Sequence, residues 1–222
     1  MKELCGGSLP QLIIFDLDGT LVDSVPDLAA AVDSALNSYG LPCVGEERVR
    51  LWVGNGAQAL VERALRFVMP KCSDDMCVQV LDAFLASYAN YLADKSCLYI
   101  GVDEALRYFK EQGVPMAIVT NKPIAFVGPL LEGLGIAPFF SSVLGGDSLL
   151  AKKPDPLPLN TLLAKYRVQP EKALMVGDSV SDLLAARSAG CAIVLVSYGY
   201  NHGKSVYELG ADKVISSLIE LL

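Results

Sequence analysis

The sequence is poor in the groups on which much hydrolytic and metal chemistry depends. It holds one histidine and one tryptophan in 222 residues, and no serine lies in a G-x-S-x-G turn. A single imidazole, His202, argues against a Ser-His-Asp hydrolase, so hydrolytic chemistry would have to run on carboxylates. No cysteine pair has C-x-x-C spacing. Cys5, Cys43, Cys72, Cys77, Cys97 and Cys191 are scattered, with one histidine as the only further soft ligand, and the expectation is reduced, mostly buried thiols rather than a zinc site or disulfide frame. No basic cluster occurs: 18 Lys+Arg against 25 Asp+Glu give a formal charge of −7. That balance disfavours nucleic-acid and anionic-membrane partners, though a local basic pocket stays compatible with it. The first apolar run, residues 12–15, is too short for a signal-peptide core or a membrane span, and the cytoplasm is the expected location. Repeats and low-complexity tracts are also missing.

What is present is enough apolar material for a core, 52% hydrophobic against 19% charged residues. Short apolar runs at 12–15, 116–119, 173–176 and 192–196, with a weaker one at 142–144, read as buried strands bounded by Gly, Asp, Asn or Pro. Helix-period stretches at 103–112, 123–134, 157–166 and 181–189 fall between the later runs. That alternation predicts a doubly wound parallel-sheet α/β core. From 25 to about 95 the alternation stops, and only helical patterning appears, at 27–39, 57–67 and 74–93. Roughly seventy residues far exceed an ordinary connection, so an α-helical lobe inserted after the first strand is expected. The division is 1–23 and 98–222 for the core and 24–97 for the lobe. Trp52, Tyr88 and Tyr91 in the lobe read as packing residues.

The first strand runs into Asp16-Leu17-Asp18-Gly19-Thr20, which places two acids at the carboxyl edge of the sheet, where open α/β folds bind ligands. Two carboxylates one residue apart repel unless a cation or a proton lies between them, and a hard divalent ion is the natural neutraliser. A second strand end carries Gly177-Asp178-Ser179, with Asp182 one helical turn on. An Asp before Gly is ordinarily a turn and Asp-Ser before a helix ordinarily a cap, but two acidic clusters on separate strand ends point to one site. Thr120 and Asn121 end another strand, and Lys152-Lys153-Pro154 follows in a loop, where one lysine is expected in solvent and the other in an anionic site. Hydroxyl, amide, lysine, cation and paired aspartates together suit a phosphoryl group.

With these four stretches in this order, and the insertion directly after the first, the chain resembles the haloacid dehalogenase superfamily and, within it, the bacterial phosphoglycolate phosphatases. Softer matches are Trp52-Val53-Gly54-Asn55-Gly56, Gly145-Gly146-Asp147 and the loop from Ser197 to Gly203. The resemblance implies a Rossmann-like core of that superfamily and a Mg²⁺-dependent phosphomonoesterase. Asp16 would be the nucleophile that forms an aspartyl-phosphate, and Asp18 the acid and base. Mg²⁺ would be held by Asp16, the Asp18 carbonyl and Asp178. Thr120, Asn121 and Lys153 would hold the phosphoryl oxygens, and Asp182 would orient Lys153 or a metal-bound water.

The helical lobe would serve as a cap, its Gly54-Asn55-Gly56 turn offering backbone donors to a small carboxylate or acting as a plain turn. The implied partner is a small phosphorylated carboxylic acid, 2-phosphoglycolate foremost, with the chain a monomer or homodimer. Other phosphatases on sugar phosphates, nucleotides or pyrophosphate and a β-phosphoglucomutase-like mutase share the core motifs, whereas a non-catalytic phosphate-binding module on the same fold would have at least one of Asp16, Asp18, Lys153 and Asp178 substituted, and none is. His202, in a Gly/Tyr-rich loop, is expected as a surface hydrogen-bonding residue.

Overall fold

In a computed structural model, which describes residues 2–222, a short 3-10 turn (Lys2–Cys5) precedes the first strand, β1 (Leu12–Phe15), whose four apolar side chains are all buried. Side chains alternate across a strand, so Ile13 and Phe15 join the core on one face of the sheet and Leu12 and Ile14 the core on the other. A strand covered on both faces reads as an unbroken apolar run, and this explains why the 12–15 stretch shows no polar alternation.

A two-residue strand, β2 (Val22–Asp23), follows, and then four helices: α1 (Val25–Ser38), α2 (Glu46–Trp52), α3 (Ala57–Val68) and α4 (Asp74–Tyr91). They bury a core of their own, with Leu36, Leu65, Phe84 and Tyr88 among its members. Strand β3 (Cys97–Leu98) pairs antiparallel with β2, so a short ribbon closes the base of the helical lobe where the chain leaves and re-enters the sheet. The remaining chain alternates as α5 (Val102–Glu111), β4 (Met116–Val119), α6 (Ile124–Gly133), β5 (Ser142–Leu144), α7 (Leu157–Tyr166), β6 (Ala173–Gly177), α8 (Val180–Ala189), β7 (Ala192–Val196) and β8 (Lys213–Ile215).

Six strands form one parallel sheet in the order β5-β4-β1-β6-β7-β8. The chain steps outward in opposite directions from the centre, and β1 therefore marks the switch point at which a crevice opens above the carboxyl edge. Register aligns that edge: Phe15 lies level with Ile118 of β4 and Val176 of β6. The residues that follow each strand, Asp16, Thr120 and Asp178, emerge side by side.

Three elements were absent from the sequence reading: α2, the β2–β3 ribbon and the edge strand β8. The expectation of mostly buried thiols needs correction. Cys5 and Cys191 are buried, but Cys43 and Cys97 are exposed and Cys72 and Cys77 half-buried. The latter pair flanks the start of α4 and packs only partly against the rim of the lobe core.

Candidate active site

Asp16 follows β1 and is buried. Lys153 Nζ stands 2.8 Å from its Oδ1. Apart from that ion pair, the buried Oδ1 has no partner. Burial pushes the Asp16 carboxyl up to about 7, against the pull of Lys153. Asp178 is likewise driven well upward, by burial first and then by the charges of Asp182 and Asp16. Its Oδ2 accepts the backbone N–H of Tyr200 at 2.7 Å, and Thr20 Oγ1 donates to Oδ1 at 3.4 Å.

Asp182 reaches back to the start of α8 as the acidic member of a capping box with Ser179. Its Oδ2 accepts from Ser179 Oγ at 2.7 Å and from the backbone N–H groups of Ser179 and Asp178. The other oxygen, Oδ1, accepts from Lys153 Nζ at 2.6 Å. Lys153 is thus held between two carboxylates. Burial alone would favour its neutral form, but Asp16 and Asp182 outweigh that and keep the ammonium charged.

Asp16, Asp178 and Asp182 bring carboxylate oxygens within 4.8 Å of one another. The donor set is all oxygen, one buried oxygen has no hydrogen-bond donor, and two of the acids are held toward the neutral form. A hard divalent cation fits such a set. Asp16 and Asp178 are the natural ligands, because Asp182 Oδ2 already accepts three hydrogen bonds and its Oδ1 the Lys153 ammonium, whereas each Asp178 oxygen accepts only one. The Asp18 carboxylate lies outside the cluster: Ser24 Oγ donates to it at 2.6 Å and Lys122 Nζ at 3.1 and 3.2 Å. Only its backbone carbonyl is left for a metal.

Lys122 has no assigned role in the sequence reading. It is 4% exposed, pairs with Asp18 and donates to the Tyr88 hydroxyl at 2.7 Å. Its ammonium also lies 4.6 Å from the Tyr88 ring centroid. Burial opposes its charge, but Asp18 and Tyr88 carry the net shift upward. The signal available beforehand was only its position directly after Thr120-Asn121. Tyr88 packs in the helical core as expected, yet its polar end reaches the sheet edge.

Thr120 Oγ1 accepts the Lys122 backbone N–H at 3.2 Å. Asn121 Nδ2 donates to the carbonyls of Gly54 and Lys153, both at 3.1 Å, and its Oδ1 is buried without a partner. Gly54 and Gly56, with φ of 122° and 92°, let the lobe backbone approach this edge. A Cβ on Gly56 would come within 3.0 Å of the Asn121 carbonyl. The Asn55 side chain turns away to Arg63 at 2.6 Å, and its carbonyl accepts from exposed Lys152 at 3.2 Å. The turn therefore meets the core through the Gly54 and Asn55 carbonyls. His202 Nδ1 lies 3.1 Å from the Leu51 carbonyl, which matches the expected hydrogen-bonding residue.

Asp16, Asp18, Thr120, Asn121 and Lys122 line a cavity of about 40 Å³ whose other wall is the helical lobe. Clustered acids at the switch point of a parallel sheet, a buried lysine against them and a helical insertion over the top define a phosphotransferase-type hydrolase site. Residues 13–196 match the family model of haloacid dehalogenase-like hydrolases, and the chain belongs to that family.

Two curated relatives carry the name phosphoglycolate phosphatase. The one from Pseudomonas putida is 48% identical over 223 residues, covering 100% of this chain and 82% of its own. The one from Nitrosococcus oceani is 47% identical, covering 96% of this chain and 95% of its own. A crystal structure of a predicted phosphoglycolate phosphatase from Haemophilus somnus superposes with a TM-score of 0.92 at 40% identity, covering 96% of this chain and 97% of that one. Among the described residues no helix is long and apolar enough to cross a membrane.

Proposed function

We propose that the chain is a Mg²⁺-dependent phosphomonoesterase that hydrolyses 2-phosphoglycolate to glycolate and phosphate through an aspartyl-phosphate on Asp16. The observation that carries this reading is the buried Asp16 Oδ1, which faces Lys153 but lacks a hydrogen-bond donor. With no partner besides that ammonium, the oxygen keeps a lone pair for bond formation. The names carried by relatives at nearly half identity over almost the whole chain support the substrate.

Asp16 attacks phosphorus in line with the leaving oxygen, and a phosphoester bond breaks as the Asp16–phosphorus bond forms. Asp18, two residues on and fixed by Ser24, gives the proton to the glycolate oxygen and later takes one from the water that releases phosphate. Lys153, clamped by Asp182, holds the transferring group's negative charge, assisted by the Thr120 hydroxyl and the Asn121 backbone. Bound through Asp16, Asp178 and the Asp18 carbonyl, Mg²⁺ would neutralise phosphoryl charge and set the line of attack. Residues 24–97 act as a cap on the core of 1–23 and 98–222, shutting out bulk water while the acyl phosphate forms. Gly54 and Gly56 form the part of the cap that touches the sheet edge.

The test is a phosphate-release panel with Mg²⁺ and with a chelator, comparing 2-phosphoglycolate with sugar phosphates, nucleotides and pyrophosphate. Metal-dependent release fastest on 2-phosphoglycolate supports the reading. Equal rates on every ester would remove the substrate assignment, and no release would remove the phosphatase.

A further inference from the structure

We propose that Lys122 and Tyr88 together form the seat for the substrate's carboxylate and so set the preference for a phosphorylated acid over a neutral phosphomonoester. The assignment rests on the phosphatase reading above. Lys122 is the one cation among the residues lining the cavity into which Asp16 and Asp18 open, and the facing cap wall, with Leu28, Leu60 and Phe84, is apolar, as is Phe126 of α6 beside it. A carboxylate entering such a recess has to find a charged, hydrogen-bonding partner or lose its hydration uncompensated. Lys153 is already engaged by Asp16 and Asp182, which leaves Lys122.

The hydrogen-bond inventory around Lys122 leaves room for that partner. An ammonium has three donors. Lys122 directs them at both Asp18 oxygens and at the Tyr88 hydroxyl. Asp18 has a second donor in Ser24 Oγ and stays held by Lys122 through a single oxygen. The Tyr88 hydroxyl accepts from Lys122, and its own proton has no acceptor among the described residues. A carboxylate beside the pair would take the Tyr88 O–H and one Lys122 N–H, while the Lys122–Asp18 pair stays in contact through the other oxygen.

The seat is also rigid. Tyr88 stacks on Phe84 with ring centroids 5.7 Å apart and meets Phe126 edge-on at 5.2 Å. Lys122 comes from the loop after β4 and Tyr88 from α4, so the seat is complete only with the cap against the core. A substrate with a carboxylate one carbon from the phosphoester oxygen would bridge the two parts.

The experiment compares 2-phosphoglycolate with isobutyl phosphate, a near-isostere in which two methyl groups replace the carboxylate oxygens. Wild-type enzyme should favour the acid by about 100-fold or more in kcat/KM. Lys122→Met also takes the ion-pair partner from Asp18 and so slows both esters, but the loss on the acid should exceed that on isobutyl phosphate by about 100-fold, collapsing the preference. Tyr88→Phe keeps the ring stack and should raise KM for the acid by about 10-fold, with the neutral ester unchanged.

Equal loss on both esters in Lys122→Met would mean that Lys122 serves only Asp18, and would overturn the proposal. If that variant does not fold, Tyr88→Phe decides, and unaltered KM for the acid overturns it. Wild-type enzyme that turns over both esters equally removes this assignment alone. Release from neither ester removes the phosphatase reading and this assignment with it.

Discussion

Lys153 donates to Asp182 across 2.6 Å, with neither side chain more than 1% exposed. Asp182 is therefore the point on which the buried Lys153 ammonium rests, and it also caps α8. Replacing Asp182 by Ala leaves Lys153 with Asp16 alone and strips an acceptor from the Ser179 and Asp178 amides. A broken buried ion pair of this kind costs about 3–5 kcal/mol. Urea titration should show a loss of that size, and a change under about 1 kcal/mol would mean that solvent reaches the site.

Divalent metal should stabilise the fold. Asp16 and Asp178 are both driven toward the neutral form by burial in the metal-free protein. Cation binding to the native state alone adds about 2.7 kcal/mol at one hundred times Kd. For a chain of this size that corresponds to a rise in Tm of about 5–10 °C. A thermal melt with Mg²⁺ and with chelator measures it, and Asp178→Asn should abolish most of the shift.

Gly19 adopts φ of 89°, and a Cβ there would run into the Asp178 carboxylate and the Tyr200 ring. Gly19→Ala should displace Asp178 while leaving the apolar cores alone. The expected outcome is a 10–100-fold rise in the Mg²⁺ concentration needed for half-maximal activity, a magnitude typical of a disturbed ligand support. Titration of activity with Mg²⁺ checks it.

The Tyr200 hydroxyl donates to Asp23 Oδ1 at 2.8 Å and accepts from the Ser24 and Val25 amides at 3.0 and 3.3 Å, where the chain enters α1. Asp23 is also held by Arg50 of α2. Tyr200→Phe leaves those buried amides without an acceptor, at a cost of about 1–3 kcal/mol. Denaturant unfolding should register it, and no change would show that water replaces the hydroxyl.

The sequence disclosed elements whose cause is local. The 12–15 and 173–176 runs are buried on both faces and carry their own signal, and Asp16 and Asp178 show at their ends because polar residues interrupt apolar strands. The parallel sheet follows from the alternation of runs and helices. Helix α2, at seven residues, is too short for its period to register, and β2 and β3 have only two residues each. Strand β8 sits at the edge, half-buried, and lacks a full apolar run. Lys122 was overlooked for another reason: its partners Asp18 and Tyr88 lie 104 and 34 residues away, a meeting that only the tertiary fold creates. The cysteines misled because residue type predicts burial only on average.

The central claim is that Asp16 becomes phosphorylated during turnover. Acid quench of the enzyme during rapid turnover of 2-phosphoglycolate, followed by borohydride reduction and peptide mass spectrometry, tests it directly, because an acyl phosphate is reduced to the alcohol and leaves homoserine in place of aspartate. The account predicts homoserine at position 16 in the quenched sample and none in an Asp16→Asn control. Reduction at another aspartate, or sustained phosphate release by Asp16→Asn, would contradict it.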